Sequence, residues 1–462
     1  MIGVIGIVLS LVLLMYLAYR GINVLFLAPI CATIAVLFAG LDSPLLGTYT
    51  QVFMVELGKY LAKFFPLFML GAIFGKLMDD SGSASVIAQW IADKVGAERA
   101  LLAIVLACGL LTYGGVSLFV VAFAVYPIGA ALLRRSDTPK RLLPGAIALG
   151  SFTFTMTALP YTPSIQNAIP SPFFGTNTGA APGLGIIGGF LMFAIGMLWL
   201  TRRAHAAQAR NEGYGIHDEP PATAAAAERR PPFIVALAPI IVVIVLNFVF
   251  TNYILPAMDT AFLAQPRFGA TKLSAVLGIW SIIIALIAAC LTCVAVNWTR
   301  FGNLTDTINK GTFGSMLPIF NTASEVGYGS VIASLPAFAL VRDAMTAVTT
   351  NPVWATFIAV NVLAGITGSA SGGMSIALTA VGDQLLQEAR ADGISAQILH
   401  RVAAMSSGGF DSLPHNGAVI TLLAICGLTH KQSYVDIFIC SVVGPVLATV
   451  AVILINQAVG TF

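Results

Sequence analysis

Apolar positions run along this chain in long stretches separated by short polar loops, at a spacing that suits a hydrocarbon layer. At about 20 residues per span, apolar segments fall at 2–19, 22–40, 53–78, 100–133, 141–170 and 183–200. A second set follows at 232–254, 273–297, 308–342, 353–386, 398–428 and 434–458. Between them, residues 201–231 are rich in Ala, Arg, Glu and Pro and read as a flexible linker. The chain therefore divides into a first half, 1–200, the linker, and a second half, 232–462.

The halves echo each other. Gly114-Gly115-Val116-Ser117-Leu118 recurs as Gly372-Gly373-Met374-Ser375-Ile376, each is followed by a Leu-Pro pair (Leu159-Pro160 and Leu413-Pro414), and Phe65-Pro66-Leu67-Phe68 matches Leu317-Pro318-Ile319-Phe320. Gly and Pro in a span free backbone groups that lipid cannot satisfy, so such breaks survive only where protein buries them or a cavity receives them. Matched breaks in two halves point to a substrate site between repeats. The fourth segment of each half is too long for one crossing and carries Gly-Gly-x-Ser at its middle, so it reads as a re-entrant hairpin. The fifth reads as a crossing unwound at its proline. Each half then crosses five times, and an odd number inverts the second half relative to the first. The expected fold is an all-α polytopic membrane protein of two inverted repeats, each of five crossings plus one hairpin, with discontinuous helices.

Composition agrees on the solvent. With 58% hydrophobic and 9% charged residues, the chain lacks the charge of a soluble surface. A net charge of +3, carried in inter-span loops, indicates orientation and no nucleic-acid partner. A cytoplasmic linker puts Arg20, Lys76, Lys94, Arg99, Arg134, Arg135, Lys140, Arg141, the linker arginines, Arg300, Lys310 and Lys431 inside. The smaller outer set is Arg267, Lys272, Arg342, Arg390 and Arg401, with Lys59 and Lys63 near the outer end of the third segment. Both termini are then expected outside. The first 19 residues have no basic leader or small-residue cleavage site and read as a retained span. The six cysteines, including the Cys290/Cys293 pair, read as core packing.

A carboxylate in a membrane cavity needs donors, and half-helix N-termini at hairpin tips and helix breaks supply oriented N–H groups. Gly114, Gly115 and Ser117 mark one tip, with Gly372, Gly373 and Ser375 marking the other. Thr162, Ser164 and Asn167 follow the first break, and His415 and Asn416 the second. The plainer reading is that small residues here only let helices approach. Polar residues at depth are sharper signals. Aligning Pro66 with Pro318 sets Ile73 against Glu325 and Met69 against Asn321, so Asn321, Thr322 and Glu325 break the symmetry. An unpaired carboxylate in lipid is costly and neutralises by taking a proton, which makes Glu325 the first candidate for proton coupling. Asp411 and His415, four residues apart, are the next, against a plainer role as helix cap and carbonyl partner. Hydroxyls of Thr157, Ser164, Ser369 and Ser412 keep sodium as the alternative ion. Glu56, Lys59 and Lys63 read as an ion-pair face on a scaffold.

No Arg lies in the tip or break strings, which favours an anion with a single carboxylate. No His-Glu-x-x-His string, nucleotide loop or Gly-x-Ser-x-Gly elbow is present, so no catalytic residue, metal or cofactor is expected and a carrier is preferred to an enzyme or a channel.

The strings Thr157-Ala158-Leu159-Pro160-Tyr161-Thr162-Pro163-Ser164-Ile165-Gln166-Asn167, Asn321-Thr322-Ala323-Ser324-Glu325-Val326-Gly327-Tyr328-Gly329, Gly368-Ser369-Ala370-Ser371-Gly372-Gly373-Met374-Ser375 and Gly408-Gly409-Phe410-Asp411-Ser412-Leu413-Pro414-His415-Asn416-Gly417 resemble the gluconate permease (GntP) family of the ion transporter superfamily. The Phe-Asp-Ser-Leu-Pro-His-Asn string is more similar to the branch assigned to hydroxybutyrate. The resemblance implies a proton-coupled symporter of a small organic carboxylate, such as 3-hydroxybutyrate or a sugar acid like gluconate. It also implies a scaffold that forms a homodimer and a transport domain that moves as an elevator. The location expected with it is the bacterial inner membrane.

Overall fold

The computed structural model describes residues 2–20, 22–40, 44–217, 230–340, 349–414 and 416–462, and among these no strand occurs. The first half contains α1 (Ile2–Tyr19), α2 (Val24–Ala39), α3 (Leu45–Asp80), α4 (Ser83–Val95), α5 (Ala100–Tyr113), α6 (Leu118–Arg135), α7 (Leu143–Ser151), the short α8 (Phe154–Thr157), α9 (Ile165–Ala168) and α10 (Pro170–Phe174), and α11 (Pro182–Gln208). The second contains α12 (Phe233–Ala257), α13 (Leu273–Asn297), α14 (Leu304–Ser334), α15 (Pro352–Thr367), α16 (Ala370–Ala391), α17 (Ala396–Ser407), α18 (Gly417–Cys426) and α19 (His430–Val459). Helices α3, α11, α12, α13 and α19 are long and apolar enough to cross a membrane. This is a multi-pass membrane architecture, because helices satisfy their own backbone groups where no water can.

Packing partners recur between the halves. Helix α1 lies along α2 as α12 lies along α13, α2 packs on α14 as α13 packs on α3, and α5 packs on α7 as α15 packs on α17. Two pairs join matching elements across the halves, α3 with α14 and α11 with α19. The α3–α14 crossing is tight because a Cβ on Gly311 would lie 2.7 Å from the Ile73 Cα. Most of the interior is one hydrophobic core, while a smaller cluster ties α1 and α2 to Phe53, Tyr328, Val331 and Ile332.

The fourth segments are helical hairpins, α5/α6 and α15/α16, and the fifth segments are broken helices. In the first, α7 ends at Ser151, the single turn α8 stands within the break, and helix resumes at Ile165. In the second, α17 ends at Ser407 and α18 starts at Gly417. Amphipathic α4, absent from the expected spans, bends by 104° into the helix that begins the first hairpin.

Two expectations need correction. Arg401, assigned to an outer loop, is completely buried within α17, because residues 176–181 of the first half fold over it with their carbonyl groups. The linker is ordered at its start: α11 continues to Gln208, and residues beyond it are pinned to the α6–α7 loop. Asp137 Oδ1 accepts from Tyr214 N at 3.0 Å, and Arg141 forms a fork with Glu212 at 2.6 and 2.9 Å. That fork holds the Glu212 carboxyl below the usual glutamate range. Arg141 also reaches the fully buried Asp436, which accepts further bonds from Trp199 and Arg203 and so joins α11, α19 and the start of the first broken helix. Arg342, placed on the outer side, lies outside the described residues.

Candidate functional site

The second hairpin tip is built from an N-cap. Gly368 turns the chain in the left-handed region at φ +64°, where glycine is at ease, and the Ser369 Oγ then accepts from Gly372 N at 3.1 Å to start α16. Glu325, on α14 and 2% exposed, presses its carboxylate against Gly372, where any Cβ would overlap its Oε2. Ser369 and the Tyr60 phenol of α3 stand beside that carboxylate. Both the Glu325 Oε2 and the Tyr60 hydroxyl are shut away from solvent, with Ser369 beside the carboxylate and Ser375 beside the phenol. One turn before Glu325, the Thr322 Oγ1 lies 3.3 Å from the Ser371 Oγ, while the Asn321 Oδ1 is buried without a partner. The polar stretch singled out on the third segment thus faces the tip singled out on the fourth. Gly373 has a different neighbour, since its Cβ would run into the Ala364 backbone of the opposite hairpin arm. Ser375 lies a turn inside α16, where its Oγ donates to the Ser371 carbonyl at 2.6 Å.

The first tip meets the first break. Gly115 takes φ +87°, its Cβ position lies 2.9 Å from Pro163, and the Tyr113 hydroxyl donates to the Pro160 carbonyl at 2.9 Å. Gly114 abuts Ile240 of α12, and Ser117 caps α6 by position only, against Gly75 of α3. Within the break, the Ser164 Oγ donates to the Met156 carbonyl, while the Thr162 Oγ1 is fully buried without a partner. Asn167 is completely enclosed: its Nδ2 donates to the Thr162 and Thr178 carbonyls at 3.2 and 2.9 Å, and its Oδ1 accepts from the Arg401 guanidinium at 3.0 Å. Sequence reasoning missed this arginine because an Arg near the end of an apolar run looks like a loop residue. Its best signal is that it follows five helical positions of α17.

The second break meets the second tip in the same manner. Asn416 caps α18, its Oδ1 accepting from Ala418 N and Val419 N at 2.6 and 3.0 Å, and its Nδ2 donates to the Gly368 carbonyl at 2.9 Å. Asp411 is 5% exposed and accepts from the Ser412 Oγ at 3.1 Å. His415 lies outside the described residues. The breaks also touch each other, with Thr157 against Gly408. Glu56 and Lys59 form the expected ion pair at 2.6 Å, while the Lys63 ammonium sits over the rings of Phe64 and Phe173. Of the hydroxyls offered to sodium, Thr157 donates to the Thr153 carbonyl. Cys293 is buried beside Ser81.

Each hairpin tip thus lies against a helix break, and the Thr162 Oγ1 and Asn321 Oδ1 are buried at these places without a hydrogen-bond partner. The model of the GntP family permeases matches residues 1–458. The chain belongs to the GntP permease family. It is 46% identical over 468 residues to an uncharacterised transporter, YxjC, of Bacillus subtilis (strain 168), covering 98% of each chain. An uncharacterised transporter of Haemophilus influenzae (strain ATCC 51907 / DSM 11121 / KW20 / Rd) is 46% identical over 70 residues, covering 15% of this chain and 16% of the relative. This GntP permease is accordingly a membrane transporter with a small-molecule substrate.

Proposed function

We propose that this permease is a secondary active symporter that couples a proton to a small organic carboxylate, with 3-hydroxybutyrate as the first substrate to test and gluconate-like sugar acids as the second. The observation that carries the reading is the placement of Glu325. Its carboxylate faces the N-terminal end of α16, which suits an anion, in a water-excluded site, which suits a neutral carboxyl. Such a group can carry a proton in one state and release it in another. Thr322, Asn321 and the Gly372 tip stand beside it for substrate contact, and Ser117, Thr162 and Ser164 offer the matching groups at the first tip and break. In this proposal Asn167, Gly114, Gly115, Gly373, Ser375 and Asn416 hold the surrounding backbone, and Asp411 with His415 forms a second titrating pair.

The recurring packing pairs support two related halves; in this proposal the halves are inverted repeats, the hairpins and breaks move as a transport domain against a dimeric scaffold, and the linker faces the cytoplasm. Glu325→Gln keeps shape and hydrogen bonding but cannot titrate. In proteoliposomes it is expected to abolish uptake driven by a pH gradient while sparing exchange of labelled for unlabelled substrate. Full proton-driven uptake by this variant would move coupling to Asp411 or His415. A strict requirement for sodium would move it off protons.

A further inference from the structure

We propose that Arg401 is the fixed positive charge that selects an anionic substrate at the first break, a positioning residue that acts through Asn167 and the 160–180 backbone. The inference rests on the carboxylate reading above and assigns the source of its charge preference. Arg401 is the largest fully buried side chain among the described residues. Its Nε and one terminal nitrogen donate to the Ala180 carbonyl at 3.0 and 2.7 Å, that nitrogen also donates to the Thr178 carbonyl at 3.2 Å, and the other terminal nitrogen donates to Asn167 Oδ1 at 3.0 Å. These bonds occupy four of the five N–H groups of a guanidinium, and every acceptor is neutral.

Among the described residues no carboxylate pairs with Arg401. The titratable groups around it are His400, whose Nε2 lies 3.4 Å from the same Asn167 oxygen, and the phenols of Tyr113 and Tyr161. By contrast, the buried Asp436 has Arg141 and Arg203 as charged partners. A pin that only ties carbonyls together needs donors and not a net charge, and a buried charge without a counter-ion is costly. A carboxylate lodged at the break would supply that counter-ion. Two groups await a ligand there: the Thr162 and Thr178 hydroxyls, on residues with no exposure and bearing no hydrogen-bond partner. Because the charge comes from α17 of the second half, the break strings need no Arg of their own.

The test uses 3-hydroxybutyrate uptake into proteoliposomes, with its primary amide as a neutral competitor. Gln397 is exposed, stands one helical turn before Arg401, and accepts from Ala181 N through its Oε1 at 3.0 Å. Gln397→Glu keeps that acceptor and adds a negative charge, so it is expected to raise the half-saturation concentration about threefold or more through partial neutralisation of Arg401 and leave the maximal rate unchanged. Arg401→Gln is expected to lose most of the preference for carboxylate over amide, and Arg401→Lys, which keeps the charge but not the fork, to restore it. Equal impairment of the Lys and Gln variants would assign Arg401 to backbone pinning and overturn the proposal. So would wild-type kinetics in Gln397→Glu, a surface change that carries the test even where Arg401→Gln does not fold. Wild-type protein that takes up no carboxylate under any gradient would remove the proposed function and this inference with it, whereas wild-type uptake with an unshifted Gln397→Glu removes the inference alone.

Discussion

Gly372 and Gly373 are neighbours in sequence with different reasons to lack a side chain. At Gly372 a Cβ would fall on the Glu325 carboxylate, and at Gly373 it would fall on the Ala364 backbone. Gly372→Ala is therefore expected to cost about 1–3 kcal/mol by overpacking, read as a lower melting temperature in detergent. Adding Glu325→Ala should restore most of that loss without restoring proton-driven uptake. Gly373→Ala meets main chain that cannot swing aside, so Glu325→Ala should not rescue it. Rescue of both variants would show that the hairpin tip sits elsewhere. Glu325 itself was legible in the sequence, because a carboxylate in an apolar run with no counterpart in the other half stands out. Arg401 was not legible, because its burial depends on residues 176–181 arriving from the other repeat.

At the scale of elements, hairpins and broken helices were readable because Gly and Pro act on their own backbone within a turn or two. Helix α4 escaped notice because its apolar stripe is shorter than a span and mixes with Lys94 and Asp93. The contact of the linker with the α6–α7 loop was equally hidden, since it depends on the Arg141–Glu212 fork. The Glu212 carboxyl is held below its usual value of 4.5 by Arg141, so this fork contributes fully above that pH and is lost as pH falls through the lowered value. Limited proteolysis of the linker should accelerate as pH falls through that lowered value, and Glu212→Gln should give the fast rate at neutral pH. A pH-independent rate would show that the fork does not hold the start of the linker. Asp436→Ala leaves Arg141 and Arg203 without their shared buried partner and should destabilise by about 3 kcal/mol, seen as a lowered melting temperature.

For the whole molecule, the recurrence of partners between the halves bears on orientation and movement. Cysteines placed at Ser117 and Ser375, one at each hairpin, should react with an impermeant reagent from opposite faces and should change reactivity when substrate is added. A cysteine in residues 209–217 should react from the cytoplasmic face only. Labelling of both hairpin positions from one face would contradict inverted repeats, and labelling of the linker from outside would reverse the orientation read from the basic residues.

By itself the sequence determined the solvent, the hairpins and the breaks, because hydropathy over about 20 residues and the backbone effects of Gly and Pro are local properties. Tertiary structure alone decided which polar groups are already engaged and which stand free. Asn167 and Asn416 look alike as amides following a proline, yet one is enclosed by Arg401 and two carbonyls while the other caps α18 and ties the second break to its hairpin tip. Whether a buried polar atom has a partner depends on segments far apart in the chain meeting within about 3 Å, and no local pattern encodes that distance.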